Sequence, residues 1–133
     1  MNIEFRFVEV LSAALSPVPV YYGIAPQKQD DMPIVLPVVI VNRIAANYPA
    51  TLCGSDVTYS NVMLQVDIYH SGAALARDLA DMARAALAQD AEVPTIEQEM
   101  IEFDISSKAW RVMQQWRAPQ YPAAKPALLE AIR

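Results

Sequence analysis

Residues 62–69, Val-Met-Leu-Gln-Val-Asp-Ile-Tyr, alternate: Val62, Leu64, Val66 and Ile68 project one way, Gln65 and Asp67 the other. Successive side chains of an extended chain point to opposite faces, so this segment is a strand with one buried face. Almost at once the period changes. In the next stretch Leu75, Leu79, Met82, Ala83, Ala86 and Leu87 form one stripe, and Arg77, Asp78, Asp81 and Arg84 another, as on an amphipathic helix over 72–89. Ser71 is expected to cap it, and Arg77 is placed to pair with Asp81 four residues on. A half-buried strand leading into an amphipathic helix calls for a sheet with helices packed on it.

The rest of the chain supplies the other elements. Phe7, Val8, Leu11, Ala14 and Leu15 recur at helical spacing and Pro17 stops them, which predicts a helix over 3–15. Val18–Tyr22 is β-branched and aromatic and ends at Gly23, so it reads as a short strand before a polar loop over 26–33. Residues 34–45 are rich in β formers, but Pro33 and Pro37 cannot donate to a ladder, so the strand is secure from 38. A long loop is expected over 47–61. Residues 97–105 and 109–117 flank Ser106-Ser107-Lys108 as a hairpin. With the turn at Ser106-Ser107 or Ser107-Lys108, Phe103 faces Trp110 or Val112, and Arg111 faces Glu102 or Asp104. The expected fold is α+β, in the order α-β-β-β-α-β-β: a largely antiparallel sheet of four to five strands carrying two main helices. One domain over 1–118 is followed by a Pro- and Ala-rich segment, 119–133, whose end at 126–133 reads as a short helix or a flexible tail.

Charge narrows the partners. The 133-residue chain carries a net charge of −5, which opposes binding to phosphate backbones, so no direct nucleic-acid contact is expected. Its apolar residues, 54% of the total, are broken into runs too short for a bilayer, and no membrane association is expected. The first residues lack the layout of a secretory signal. Charge is uneven along the chain: six acids and no base over 90–104, then five bases and one acid over 105–133. The predicted hairpin brings these two blocks together.

Chemistry-bearing residues are few. His70 is the sole histidine and Cys53 the sole cysteine, so a shared metal site or an internal disulfide lacks ligands or partners, and Cys53 reads as a packing or loop residue. His70, with Asp67 near it at a strand end, is the one candidate for acid–base work, set against a plain polar strand end. The carboxylates Asp30, Asp31, Asp78, Asp81, Glu97, Glu99, Glu102 and Asp104 read as solvated faces or hairpin pairs. The glycines, Gly23, Gly54 and Gly72, cannot build a phosphate-cradling loop. Trp110 and Trp116 share a strand face and suit either stacking on a base or sugar or, as is usual at this spacing, the core. No catalytic, cofactor or metal residue is assigned, and enzymatic activity is not expected.

Three stretches together carry a resemblance: Tyr22-Gly23-Ile24-Ala25-Pro26 leading through a polar loop to Pro33 and the strand Val38–Arg43; residues 62–69 with the helix Ala73–Leu87; and the hairpin through Trp110 to Arg117. Over residues 8–117 the chain resembles the tailed-phage tail completion or tail terminator family, distantly similar to the lambda tail terminator. It departs in Pro37 and in the Pro-rich tail after 118. The resemblance implies a structural protein that forms a ring, a hexamer, capping the finished tail tube and joining it to the head. Its partners would be further copies of itself, the major tail tube protein and a head–tail connector, in the host cytoplasm during assembly and then in the virion tail. A neck connector of the same fold is the alternative, and a small ligand-binding domain or enzyme using His70 a more distant one. The expected contact surfaces are the 26–33 and 47–61 loops and the C-terminal segment, with Arg43, Tyr48, Leu52, Tyr59 and Tyr121 named as contact residues.

Overall fold

A computed structural model of the chain describes residues 3–23, 36–47, 60–90 and 94–120. Its elements run α1 (Ile3–Ala14), β1 (Val20–Tyr22), β2 (Val38–Asn47), β3 (Ser60–His70), α2 (Ala73–Ala88), β4 (Thr95–Asp104) and β5 (Ala109–Gln120). This is the α+β order read from the sequence. The strands form one five-stranded sheet in the order β1-β2-β3-β5-β4. Every pairing is antiparallel except β1 with β2, which is parallel.

Pro37 immediately precedes β2, so it costs the ladder no hydrogen bond, as its position at a strand start allows. β1 ends at Gly23, whose φ of +90° an L side chain rarely adopts. β5 runs past the predicted end at 117 to Gln120. Pro119 is tolerated because β4 pairs with β5 only as far as Arg117, leaving the last residues with β3 alone beside them. The hairpin register is the one centred on Ser106-Ser107: Phe103 lies opposite Trp110 and Glu102 opposite Arg111. Asp104 closes the turn by accepting hydrogen bonds from Ser106 Oγ (3.0 Å) and Ser107 Oγ (2.6 Å). The Ser107 bond first, and the Ser106 bonds with it, hold its carboxyl below the usual range against the opposing effect of burial.

Both helices lie on one face of the sheet. That face carries Val39, Val41, Val62, Leu64, Val66, Ile68, Val112 and Trp116, all buried, against Ile3, Phe7, Leu11 and Leu15 at the start of the chain. Phe7 meets Trp116 edge to face, with ring centroids 6.2 Å apart. Trp116 is therefore core, which removes the paired-tryptophan stacking platform.

α2 departs from its predicted stripe. Its buried residues are Ala76, Ala80, Ala83 and Leu87, while Leu75 and Met82 are 51% and 49% exposed. Three alanines let the helix axis approach the sheet closely, which the larger side chains would prevent. The cap differs as well: Gly72 is the N-cap residue with no side-chain bond, and the Ser71 hydroxyl lies 3.3 Å from His70 Nδ1 instead. Asp81 pairs with Arg84 rather than with Arg77.

The close fit of α2 makes Ala80→Leu an overpacking substitution. It should destabilise the fold by about 1–3 kcal/mol, whereas Leu75→Ala should cost well under that; urea unfolding of the two variants compares them.

Candidate functional site

The sheet face turned away from the helices carries the polar side chains of the alternating strands. At its centre Arg111 on β5 is flanked by Tyr69 on β3 and Glu102 on β4, its directly opposed neighbours in the ladder. The guanidinium donates to Asp67 Oδ1 from Nε at 3.1 Å and lies 3.0 Å from it through Nη2. It also donates to Glu102 Oε1 at 3.2 Å and sits 5.9 Å from the Tyr69 ring centroid. Gln65 Nε2 donates to both oxygens of Asp67, at 3.2 and 2.9 Å. Asp67, 4% exposed, is thereby satisfied on both oxygens. Burial lowers the Arg111 pKa, but Asp67 and the other acidic neighbours outweigh it, and the net shift is upward. Burial, with Asp67 adding to it, raises the Tyr69 hydroxyl. At neutral pH Arg111 is a fixed cation and Tyr69 a fixed phenol, so neither moves a proton there.

The His70 and Asp67 pairing does not form. β3 pairs without interruption from Ser60 to His70, so residues three apart point to opposite faces. Asp67 lies on the open face and His70 on the helix side, opposite Trp110. Among the described residues no group of three or more His, Cys, Asp and Glu is placed to hold a metal ion, and no helix is long and apolar enough to cross a membrane.

On the helix side, a groove of about 380 Å³ opens between α2 and β4, lined by Arg77, Ala80, Asp81, Arg84, Glu99, Met100, Ile101 and Val112. Its floor is pinned by Gln114, which is fully buried. Gln114 Nε2 donates to the Ala80 carbonyl at 3.0 Å and to Glu99 Oε2 at 2.7 Å, and its Oε1 accepts from Trp116 Nε1 at 3.1 Å. Arg84 Nη1 donates to both Glu99 oxygens at 2.9 Å. Glu99, and then Asp81, hold the Arg84 pKa up against some desolvation. The chain from Trp116 to Arg84 thus ties core, helix and outer strand together.

Gln114 was missed by sequence reading, although a signal was there: it occupies the β5 register shared by Trp110, Val112, Trp116 and Ala118, all apolar. Glu4 was missed likewise. It is 2% exposed, on the buried stripe of α1, and accepts a hydrogen bond from Arg43 Nε on β2. Arg43, named from sequence as a contact residue, has its side chain directed to α1 and half-buried within its own chain. Tyr48, Leu52, Tyr59, Tyr121 and Cys53, like the 26–33 loop and the 126–133 helix, lie outside the described residues.

Salt bridges cross the hairpin at Glu97–Arg117 (2.9 Å) and Glu102–Arg111, so the acidic and basic blocks meet at these two pairs, while Asp90 and Glu99 turn to Arg6 and Arg84 instead. What the site offers is shape, apolar edge and locked charge.

A family model described as "Tail completion protein gp17" matches residues 8–120, most of the chain. The chain belongs to this family. No curated protein matches it. Among solved structures, one described as "Virion of native gene transfer agent (GTA) particle" holds a chain of 14% identity, covering 88% of this chain and 90% of that one, with a TM-score of 0.49. As a tail completion protein the chain is a structural component of the phage virion tail.

Removing Arg111 from this tail completion protein leaves Asp67 buried beside Gln65 alone. Arg111→Met should destabilise by about 3 kcal/mol, and Asp67→Asn added to it should restore part of the loss; a double-mutant cycle in urea measures both.

Proposed function

We propose that this protein forms a ring of identical subunits, a hexamer, that caps the finished tail tube and joins it to the head. The observation that carries this reading is the continuous family match from within α1 to the last residue of β5. The physical logic is that of closure. A closed ring has no free end of its own, so it can occupy the end of a growing polymer without extending it.

The arrangement of the subunit supports a role in assembly. The charged groups of both sheet faces are held within the chain, as in Glu4–Arg43 and Asp67–Arg111–Glu102, and so fix local shape rather than offering loose charges to a substrate. The 26–33 and 47–61 loops and the C-terminal segment, with Tyr48, Leu52, Tyr59 and Tyr121, are the proposed surfaces toward the major tail tube protein and a head–tail connector. The protein acts in the host cytoplasm during assembly.

Electron microscopy of tails made without the gene tests this. Overlong tubes are expected if the protein stops polymerisation at the tube end. Tails of normal length without heads would place its action at the neck, and normal headed particles would overturn both.

A further inference from the structure

Two helices do not cover five strands. Helices pack 8–10 Å apart and strands lie about 4.8 Å apart, so a pair of helices spans roughly four strands of a sheet. Among the described residues α1 packs against β1 and β2, and α2 against β3 and β5, which leaves the helix side of β4 as an open lane beside α2. The groove of about 380 Å³ is the near part of that lane, with Val112 and Ile101 on its floor. Ile101 and Phe103, two residues apart on the same face of β4, are 44% and 49% exposed. Ligand pockets run from roughly 300 to 1,000 Å³, so this one has room for a few apolar side chains.

The chain itself carries such side chains close by. β5 ends at Gln120, three residues past the last one that β4 pairs with. Residues 121–133, Tyr-Pro-Ala-Ala-Lys-Pro-Ala-Leu-Leu-Glu-Ala-Ile-Arg, follow it, and the family match stops at 120. Pro126 suits the first position of a helix, and on a helix from there Leu128, Leu129 and Ile132 share one face. Pro122 and Pro126 each push the residue before them toward an extended conformation.

The lengths agree. Glu99 lies opposite Gln114, six residues back from Gln120 along β5, and Ile101 opposite Val112, eight back. At about 3.3 Å per residue these are about 20 and 26 Å from the strand end. An extended linker over 121–125 spans about 16 Å, and a helix over 126–133 adds about 12 Å. A helix on that linker runs back along β4, antiparallel to α2, and its apolar residues come level with the groove.

Charge favours the same seat. Residues 1–120 hold fourteen acids and eight bases, a net −6, whereas residues 121–133 hold one acid and two bases, a net +1. The acidic surplus is concentrated around β4: Asp81 and Glu99 share Arg84, Asp67 and Glu102 share Arg111, and Asp104 is held by the turn serines. A segment that is basic and apolar along one face suits this place.

We infer that residues 126–133 seat as a helix in this lane of their own chain, with Leu128, Leu129 and Ile132 over Ile101 and Val112, and with Lys125 and Arg133 near the acids of β4 and α2. The contact belongs to the free subunit and does not depend on the ring reading. A segment held in this way must leave the groove before it can meet a partner.

Cross-linking of the full chain in dilute solution tests it. In a Cys53→Ser background, Ala131→Cys is combined either with Asp81→Cys on the groove wall or with Gln98→Cys, whose register opposite Gln115 puts it on the open face of the sheet, and treated with a short bis-maleimide. Asp81 and Gln98 are both exposed, so either variant keeps the fold. The Asp81 pair should form an intramolecular bridge about tenfold faster than the Gln98 pair, because docking raises the effective concentration of the tail thiol at the groove. Equal rates would overturn the docking. Bridges between chains in place of bridges within one would seat the segment on a second copy and overturn it as well. Adding Leu128→Asp/Leu129→Asp to the Asp81 pair should bring its rate down to that of the Gln98 pair, and an unchanged rate would contradict seating through these side chains.

Discussion

The close seating of α2 on β3 and β5 governs the rest of the molecule. Ala76, Ala80 and Ala83 bring the helix down far enough for Gln114, on the sheet, to reach the carbonyl of Ala80. That bond aligns Gln114 to hold Glu99 and Trp116, and Trp116 in turn meets Phe7 of α1. Buried polar groups are tolerated when each is bonded, and this chain of bonds links both helices to the sheet through one buried amide. The same seating leaves β4 beyond the helical layer. An alanine face therefore produces a tightly packed centre.

Charge is handled in a similar way on the two faces. Glu4 with Arg43 lies on the helix side, Asp67 with Arg111 on the open side, and each joins segments remote in sequence. Such pairs add little net stability against an apolar alternative, but breaking one is costly, so they discriminate against wrong registers. For Arg111 the register is one in which β3, β5 and β4 all contribute: Tyr69 and Glu102 are its ladder neighbours and Asp67 its diagonal one. A slip by one residue would send Arg111 into the apolar core. In a family whose members build the phage tail, a rigid and uniquely registered sheet suits a part that must match its neighbours.

Elements whose period is unambiguous could be read directly. The alternation of 62–69 was enough to place β3, and the acidic block followed by the basic one to foresee the hairpin, with two registers open of which the structure takes the one that sets Glu102 opposite Arg111. Sequence reasoning erred where size rather than hydrophobicity decides. Leu75 and Met82 are more apolar than Ala76 and Ala80, yet the helix turns its alanines inward because close approach needs small side chains. Ser71 is the expected cap of α2 by residue type, but the helix starts at Ala73, one residue later than expected, with Gly72 as its N-cap. Gln114 and Glu4 are polar residues in apolar registers, visible only once the partners Ala80 and Arg43 are brought near by the fold. The parallel pairing of β1 with β2 was not readable from either strand alone.

The seating of α2 turns on Gln114, and urea unfolding of Gln114→Leu tests it most directly. The substitution strands the Ala80 carbonyl and the Trp116 indole N–H without their partner, so a loss of about 1–3 kcal/mol is expected. Unchanged stability would contradict the conclusion that this buried amide holds helix and sheet together.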